Sequence, residues 1–430
     1  MEIIKTDVAI IGGGASGLMC AVAIAKANTA CKVLVIEHHQ RTGKKLMATG
    51  NGRCNLTNTD IFDNAYYGSA KPYANKLFRK YTSEYITEYF NEIGLITKAG
   101  SEGRVYPVSN NVASVLDSIR NYILAHNIKE ICDTTITNII KGTSSYTLEC
   151  EDKKIIAKYV VLACGGMASP KLSTNGFGYR LAKGLNISLA KPLPSLVTVP
   201  CKNKSLVALK GLRSKGSVGL VADGRIIKTE NGEIQFANSA LSGICVFQLS
   251  RMVNEFFEFG TINGTKYNKI KLVIDIMPDY TKEECKGLLY NRLAIMGKYP
   301  LENFFDGFMH KRVASAIMQE CNIKTDKRTC ATLNKKELAL LADCLKHWSF
   351  TPSDKSSFEN AQVTAGGVLA EEMDFNSMQA KKYKGLYIIG ELVDIDGICG
   401  GYNLHWAWTS GIVAGENIIK NFRGKNDKIK

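Results

Sequence analysis

No C-x-x-C pair occurs among the thirteen cysteines, and their number is odd. Zinc ribbons, thioredoxin-like dithiols and disulfide scaffolds need close or even-numbered cysteines, so the sequence counts against all three. Cys20, Cys31, Cys164 and Cys245 lie in apolar runs, as free thiols of a reducing compartment do. The six histidines show no metal-ligand spacing, and no metal is expected. Long unbroken apolar runs are also missing. The longest, residues 8–25, is interrupted by Gly12, Gly13, Gly14 and Gly17 and bracketed by Asp7 and Lys26. A signal-peptide core or a membrane span has no use for four such glycines. The expectation is a cytoplasmic protein that does not associate with membranes. No low-complexity tract and no internal repeat is found.

What is present is ordinary for a globular protein. Its 430 residues allow two or three domains, and hydrophobic residues make up 45% against 22% charged. The net charge of +15 is unusual, and its excess lies mid-chain, where residues 191–350 carry 24 Lys and Arg against 15 Asp and Glu. A basic surface draws anions of any class. The lysines are dispersed, without the basic–aromatic stripe of a nucleic-acid groove, so nucleic acid is not the expected partner. A small-molecule substrate is, with the oligomeric state open.

Residues 7–11 (DVAII) read as a buried strand, 15–28 as a helix, and 32–37 (KVLVIE) as a second strand. That order is the strand–helix–strand unit of a parallel α/β sheet. Further buried strands are expected at 159–163 and 385–389. Between them the texture changes. Residues 217–237 alternate, with turn signals at Asp223-Gly224 and Asn231-Gly232, and read as antiparallel hairpins. Beyond Pro278 the pattern turns helical, with capping boxes at Thr281/Glu284 and Asn334/Glu337.

The strongest motif is Gly12-Gly13-Gly14-Ala15-Ser16-Gly17, set between the first strand and helix. Gly12 permits a tight turn, Gly14 lets the backbone approach a pyrophosphate, and Gly17 lets helix and strand pack closely. Glu37, twenty residues after Gly17, stands where a carboxylate takes adenosine ribose hydroxyls and would repel a 2′-phosphate. His38 and His39 follow it and belong beside the adenosine. The C-terminal part adds a second motif. A strand ends at Gly390-Glu391, and Gly400-Gly401-Tyr402-Asn403 opens a helix with small residues at Ala407, Ser410, Gly411, Ala414 and Gly415. A carboxylate there suits ribityl hydroxyls, and the helix N-terminus suits the pyrimidine edge of an anionic reduced flavin.

The chain resembles the BaiN-like (YhiN-type) flavoproteins, also known as aminoacetone-oxidase-family FAD-binding enzymes. The likeness spans IIGGGASGLMCAVAIA, TGKKLMATGNGRCNLTN, GRVYPVSNNVASV, VLACGGMASPKLSTNGFGY, GEIQFANSALSG, TAGGV and GELVDIDGICGGYNLHWAWTSGIVAG. The resemblance implies an α/β fold: a discontinuous FAD/NAD(P)-binding Rossmann-like domain, an inserted β-barrel-like domain and a small helical domain. On the textures above, residues 1–190 form the first part of the FAD-binding domain and 191–276 the β-rich insert. Residues 277–350 form the helical domain and 351–430 the second FAD-binding part. By resemblance, Ala15, Glu37, Lys44, Lys45 and the backbone of Ile136 serve the ADP half of FAD. Glu391, Asn403 and Leu404 line the ribityl chain and flavin. Cys399 and His405 stand where Thr and Gln are common.

No residue is assigned as catalytic. His405 reads as a proton donor near the flavin or, preferably, as a hydrogen-bonding stand-in for Gln. Cys54, Cys164 and Cys399 raise a redox relay that no spacing supports. Arg53, Asn55 and Asn58 are polar candidates for the flavin or an acidic substrate, with loop-stabilising hydrogen bonding as the other reading. Arg104 is a candidate anion contact, and Tyr106 a candidate proton donor to a substrate carbon or, more simply, a packing residue between Val105 and Pro107. The expected function is an FAD-dependent oxidoreductase that passes hydride from flavin N5 to a small, enone-type substrate. NADH or NADPH is the candidate transient donor, since no second GxGxxG unit is present. Flavin amine oxidation competes with it, as does an FAD-dependent RNA-modifying or nucleic-acid-binding flavoprotein. The purified protein is expected to be yellow and to release FAD on heating; a colourless protein that cannot be reconstituted with FAD would overturn the reading.

Overall fold

The structure is a computed structural model that describes residues 2–27, 30–172 and 176–426. The chain forms two compact units, residues 1–193 with 362–430, and residues 194–361.

In the first unit β1 (Glu2–Ile11) is exposed at its start and buried from Val8 onward. The turn at 12–14 leads into α1 (Ala15–Lys26), buried from Ser16 to Ala25. A helix buried all round is a core element, which explains its lack of charge before Lys26. The expected helix ran to Asn28, which lies outside the described residues. β2 (Val33–Ile36) follows, then a small antiparallel sheet of β3 (Thr57–Asn58), β4 (Thr97–Ala99) and β5 (Arg104–Pro107), in the order β3-β5-β4. Next come α2 (Val112–Ala125), capped by the Asn111 side chain, β6 (Lys129–Ile131) and β7 (Lys153–Leu162).

The second unit is built on a closed antiparallel barrel. Its strands are β8 (Val199–Lys202), β9 (Arg213–Ala222), β10 (Arg225–Ala237), β11 (Ala240–Ser242), β12 (Ile270–Asp275) and β13 (Trp348–Pro352). The order is β8-β11-β10-β9-β12-β13, and Cys201 pairing with Pro352 closes it. Asp223-Gly224 turns β9 into β10 as expected. Asn231-Gly232 does not form a turn: both residues lie within β10, where Gly232 (φ +150°) pairs with Gly216. A Cβ on Gly216 would lie 2.5 Å from the Asp275 carbonyl oxygen. Paired glycines therefore serve a close strand approach in a curved sheet, which a two-residue turn signal cannot be told from in one dimension.

The helices α3 (Ile244–Phe259), α4 (Lys282–Met296), α5 (Lys311–Glu320) and α6 (Lys335–Lys346) lie between β11 and β13 in the chain. Both expected capping boxes are formed, at Thr281/Glu284 and Asn334/Glu337. Barrel and helices share one core that includes Leu220, Phe236, Leu249, Ile317, Leu341 and Trp348.

The chain then returns to the first unit with β14 (Leu386–Ile388) and α7 (Tyr402–Asn426). The parallel core runs β14-β7-β1-β2-β6 within a nine-stranded sheet. α7 packs on α1 through its small residues. A Cβ on Gly411 would lie 2.5 Å from the Ser16 carbonyl oxygen, and one on Gly415 would lie 2.5 Å from the Ala23 Cβ. Glycine inside a helix costs roughly 1 kcal/mol relative to alanine, and a clash with backbone costs more, typically ~1–3 kcal/mol. Close helix approach therefore wins. Gly411→Leu should lower stability by about 2 kcal/mol or more, read as a fall in chemical-denaturation midpoint; an unchanged midpoint would mean the helices can part freely.

Candidate functional site

The carboxyl ends of β1, β7 and β14 meet at one edge of the parallel sheet. Backbone bonds carry the register past the strands: Ala163 N–H donates to Ile11 O at 2.9 Å, and Ile389 N–H to Leu162 O at 3.0 Å. Gly12 has φ +112°, and a Cβ there would lie 2.3 Å from Ala163 O. Gly17 is as constrained, since its Cβ would lie 2.0 Å from Gly12 O. Gly14 differs. It has an ordinary φ of −83°, caps α1 without a side-chain bond, and nothing approaches its Cβ position within 4 Å. The fold requires Gly12 and Gly17, whereas open space lies beside Gly14 at the start of α1. Such a helix end accepts a phosphate.

Glu37 closes the turn. Its carboxylate accepts from Gly13 N–H (2.9 Å) and His39 N–H (3.0 Å) and pairs with His38 Nδ1 at 2.8 Å. Burial opposes its charge, but the bonds from His38, His39 and Gly13 outweigh it and hold the carboxyl below its usual range. Glu37, His38 and His39 bring three donor atoms within 4.8 Å of one another. Lys44 Nζ sits 3.4 Å from His39 Nδ1, a cation where a metal would also have to fit. Thr134 N–H donates to Glu37 O at 3.0 Å, which brings the segment carrying buried Ile136 back to this turn.

The C-terminal motif touches the N-terminal one directly. Gly390 has φ +69°, and a Cβ on it would lie 2.4 Å from Ser16 Oγ. Trp406 Nε1 donates to Gly390 O at 2.9 Å, and Gly390 N–H donates to Ser410 Oγ at 3.0 Å. Lys45, expected on the ADP half, pairs with Glu391 at 2.7 Å. Glu391 also accepts from Thr364 N–H at 2.8 Å. Thr364 Oγ1 in turn accepts from Met167 and Ala168 N–H, at 2.8 and 3.0 Å. Lys45 therefore bridges the two motifs. Asn403 spends its amide on the loop before α7, accepting from Gly397 N–H and donating to Gly397 O, each at 2.8 Å. Leu404 packs partly buried against the core.

Sequence reasoning missed Thr42, Arg120, Gly166 and Thr364. Arg120, on α2, donates to Thr42 O, and Thr42 lies against Gly13. A Cβ on Gly166 would lie 2.3 Å from Thr364 Oγ1 and 2.6 Å from Glu391 Oε1. Only the T-A-G-G-V block hinted at Thr364, and nothing local marks Arg120.

The tempting single residues resolve differently. His405 is fully buried, its Nδ1 lies 2.8 Å from Thr57 Oγ1, and its ring meets Phe78. Burial lowers its pKa to about 4, so it is neutral and hydrogen-bonding rather than a proton donor. Burial also pushes the Cys54 and Cys164 thiols up to about 12, which leaves no thiolate for a relay at neutral pH. Asn55 and Asn58 brace loops, through Val105 N–H and through Glu102 O and Gly400 O. Arg53 lies over the Tyr106 ring at 4.6 Å, and Arg104 pairs with Glu102.

Residues 6–417 match the family described as HI0933-like protein Rossmann domain. The 3-dehydro-bile acid delta(4,6)-reductase of Clostridium scindens is 31% identical, over 95% of this chain and 98% of its own. The ribosomal RNA dihydrouridine synthase of Escherichia coli is 25% identical, over 96% and 98%. In fold the chain is similar to FrdA of E. coli quinol fumarate reductase, with TM-score 0.51 and 14% identity over 99% of this chain and 72% of that one.

Gly14→Val should fold with a near-normal thermal midpoint yet lose FAD affinity by tenfold or more, read by flavin retention on gel filtration; full retention would move the pyrophosphate elsewhere. A second expectation concerns pH. Because the folded pKa of His405 is depressed from 6.5 to about 4, its contribution to stability is full above pH 6.5 and lost as pH falls toward 4. Up to ~3 kcal/mol follows from that shift. His405→Gln should flatten denaturation midpoints between pH 6.5 and 4, whereas an unaltered profile would place the acid sensitivity in other groups.

Proposed function

The chain belongs to the HI0933-like protein Rossmann-domain family and is an FAD-dependent oxidoreductase, and on that premise we propose that it reduces a carbon–carbon double bond conjugated to a carbonyl. The observation that carries this reading is the meeting of Gly12–Glu37 with Gly390–Glu391 at one sheet edge, bridged by Lys45. It is supported by two relatives with unlike substrates. One is named for reducing the Δ4,6 unsaturation of a 3-dehydro bile acid, the other for making dihydrouridine in ribosomal RNA. In both molecules the bond to be saturated is conjugated to a carbonyl.

Bound FAD would supply the hydride chemistry for such a bond. The chain's own part is to bind and orient. The first-turn amides of α1 in front of Gly14 take the pyrophosphate, and Glu37 takes the adenosine ribose hydroxyls. The N-terminal turn of α7, which has no acidic residue, would hold the pyrimidine edge of the flavin and favour negative charge there. Lys45 and Thr364 hold the Glu391 carboxylate in place, from where it would serve the ribityl hydroxyls. NADH or NADPH is the proposed electron donor, as a visitor rather than a resident. Thirteen cysteines suit a reducing compartment, the cytoplasm. Among the described residues no helix is long and apolar enough to cross a membrane.

A small enone-type substrate is the first reading. Uridine in RNA is the second, favoured by the net charge of +15 and by the E. coli relative. Anaerobic stopped-flow separates them. NADH or NADPH should bleach the flavin band, and either a 3-keto-4-ene steroid or a uridine-containing ribosomal RNA fragment should restore it at least tenfold faster than buffer. Failure of both nicotinamides would end the reductase reading, and reoxidation by neither acceptor would end the conjugated-bond reading.

A further inference from the structure

The second unit holds two cysteines that face one another. Cys321 follows the last turn of α5, and Cys344 lies in α6. Cys321 Sγ lies 3.5 Å from the Leu340 carbonyl oxygen. Inside α6 that oxygen belongs to the turn that ends at residue 344, four positions on. This places the Cys321 thiol against the turn that carries Cys344, and the two thiols hydrogen-bond to each other. Their surroundings differ. Cys321 is partly exposed, whereas Cys344 is only 8% exposed among the core residues of α6. The adjoining turns are firmly packed, with Ile317, Met318, Leu341 and Leu345 all buried.

We propose that Cys321 and Cys344 form a reversible dithiol–disulfide site, with peroxide as oxidant, that ties α5 to α6. Cys321 is the attacking thiol and Cys344 the resolving one. The hydrogen bond from Cys344 holds the Cys321 thiol below its usual value, against burial and the nearby carboxylates of Glu320 and Asp343. The same bond, followed by burial, pushes the Cys344 thiol up. In the first step Cys321 sulfur attacks a peroxide oxygen: an S–O bond forms, the O–O bond breaks, and water or an alcohol leaves. Cys344 sulfur then attacks the Cys321 sulfenic acid; the S–S bond forms, the S–O bond breaks, and water departs with the Cys344 proton. Two thiols are oxidised and one peroxide is reduced. A thiol reductant reverses the change. The sequence signals for a dithiol are absent because these residues are brought together by packing of α5 on α6 and not by chain proximity.

The test uses the full-length protein, reduced and then exposed to a slight excess of hydrogen peroxide. Non-reducing peptide mapping should find Cys321 joined to Cys344, with a mass loss of two hydrogens and the other cysteines still alkylatable. Closing that loop should raise the thermal midpoint by roughly 3–10 °C, a gain abolished by dithiothreitol and absent in Cys321→Ser. Cys344→Ala should leave Cys321 trapped as sulfenic acid, detected by dimedone labelling. Cys321 oxidised to sulfinic acid in the wild-type chain without a crosslink would overturn the proposal, as would a Cys321 that peroxide leaves unreacted. Mapping of the unmutated chain keeps the test valid if either variant folds poorly.

Discussion

The first unit depends on one close approach, the crossing of α7 over α1 with no side chain at Gly411 and Gly415. α1 begins at the glycine turn, and α7 begins nearly four hundred residues later in the chain. In the same unit Gly390 lies against Ser16 and Lys45 reaches Glu391. The glycines cost helix propensity, and that cost is accepted because a Cβ at either position would meet a carbonyl oxygen or another Cβ. The meeting of the two glycine motifs is thus supported by helix packing and not by any loop alone.

The glycines of the N-terminal motif divide by physical cause. Gly12 and Gly17 are held by neighbouring backbone and would be glycine in a protein that bound nothing. Gly14 has an ordinary φ and free space beside it, so the fold does not demand it. The open space at that helix end is what the proposed pyrophosphate contact uses. The same contrast separates Glu391, whose carboxylate is shared between Lys45 and Thr364 at the junction of the motifs, from Asn403, whose amide is spent on its own loop.

Much of this was legible beforehand where chemistry is local. The strand–turn–helix start, the two capping boxes and the Asp223-Gly224 turn each rest on residues within a few positions of one another. The α/β fold with a barrel and helices followed from the family resemblance, and the family match bears it out. Asn231-Gly232 misled because glycine also serves strands that approach closely, and the partner that decides between the two, Gly216, is supplied by pairing across the barrel. His405 was ambiguous for a similar reason: its role is set by Thr57 and Phe78, which precede it by more than three hundred residues.

By itself the sequence determined the local elements and the strand–glycine turn–helix start, because each depends on backbone conformation or on spacing within one motif. The flavin class needed two distant motifs and the family resemblance together. Tertiary structure alone decided that Lys45 bridges to Glu391, that Thr364 ties the loop after β7 to the C-terminal motif, and that His405 is buried and neutral. It also set Cys321 against Cys344. These are long-range contacts between side chains, and their partners are fixed by how helices and strands pack, a property that no stretch of neighbouring residues encodes.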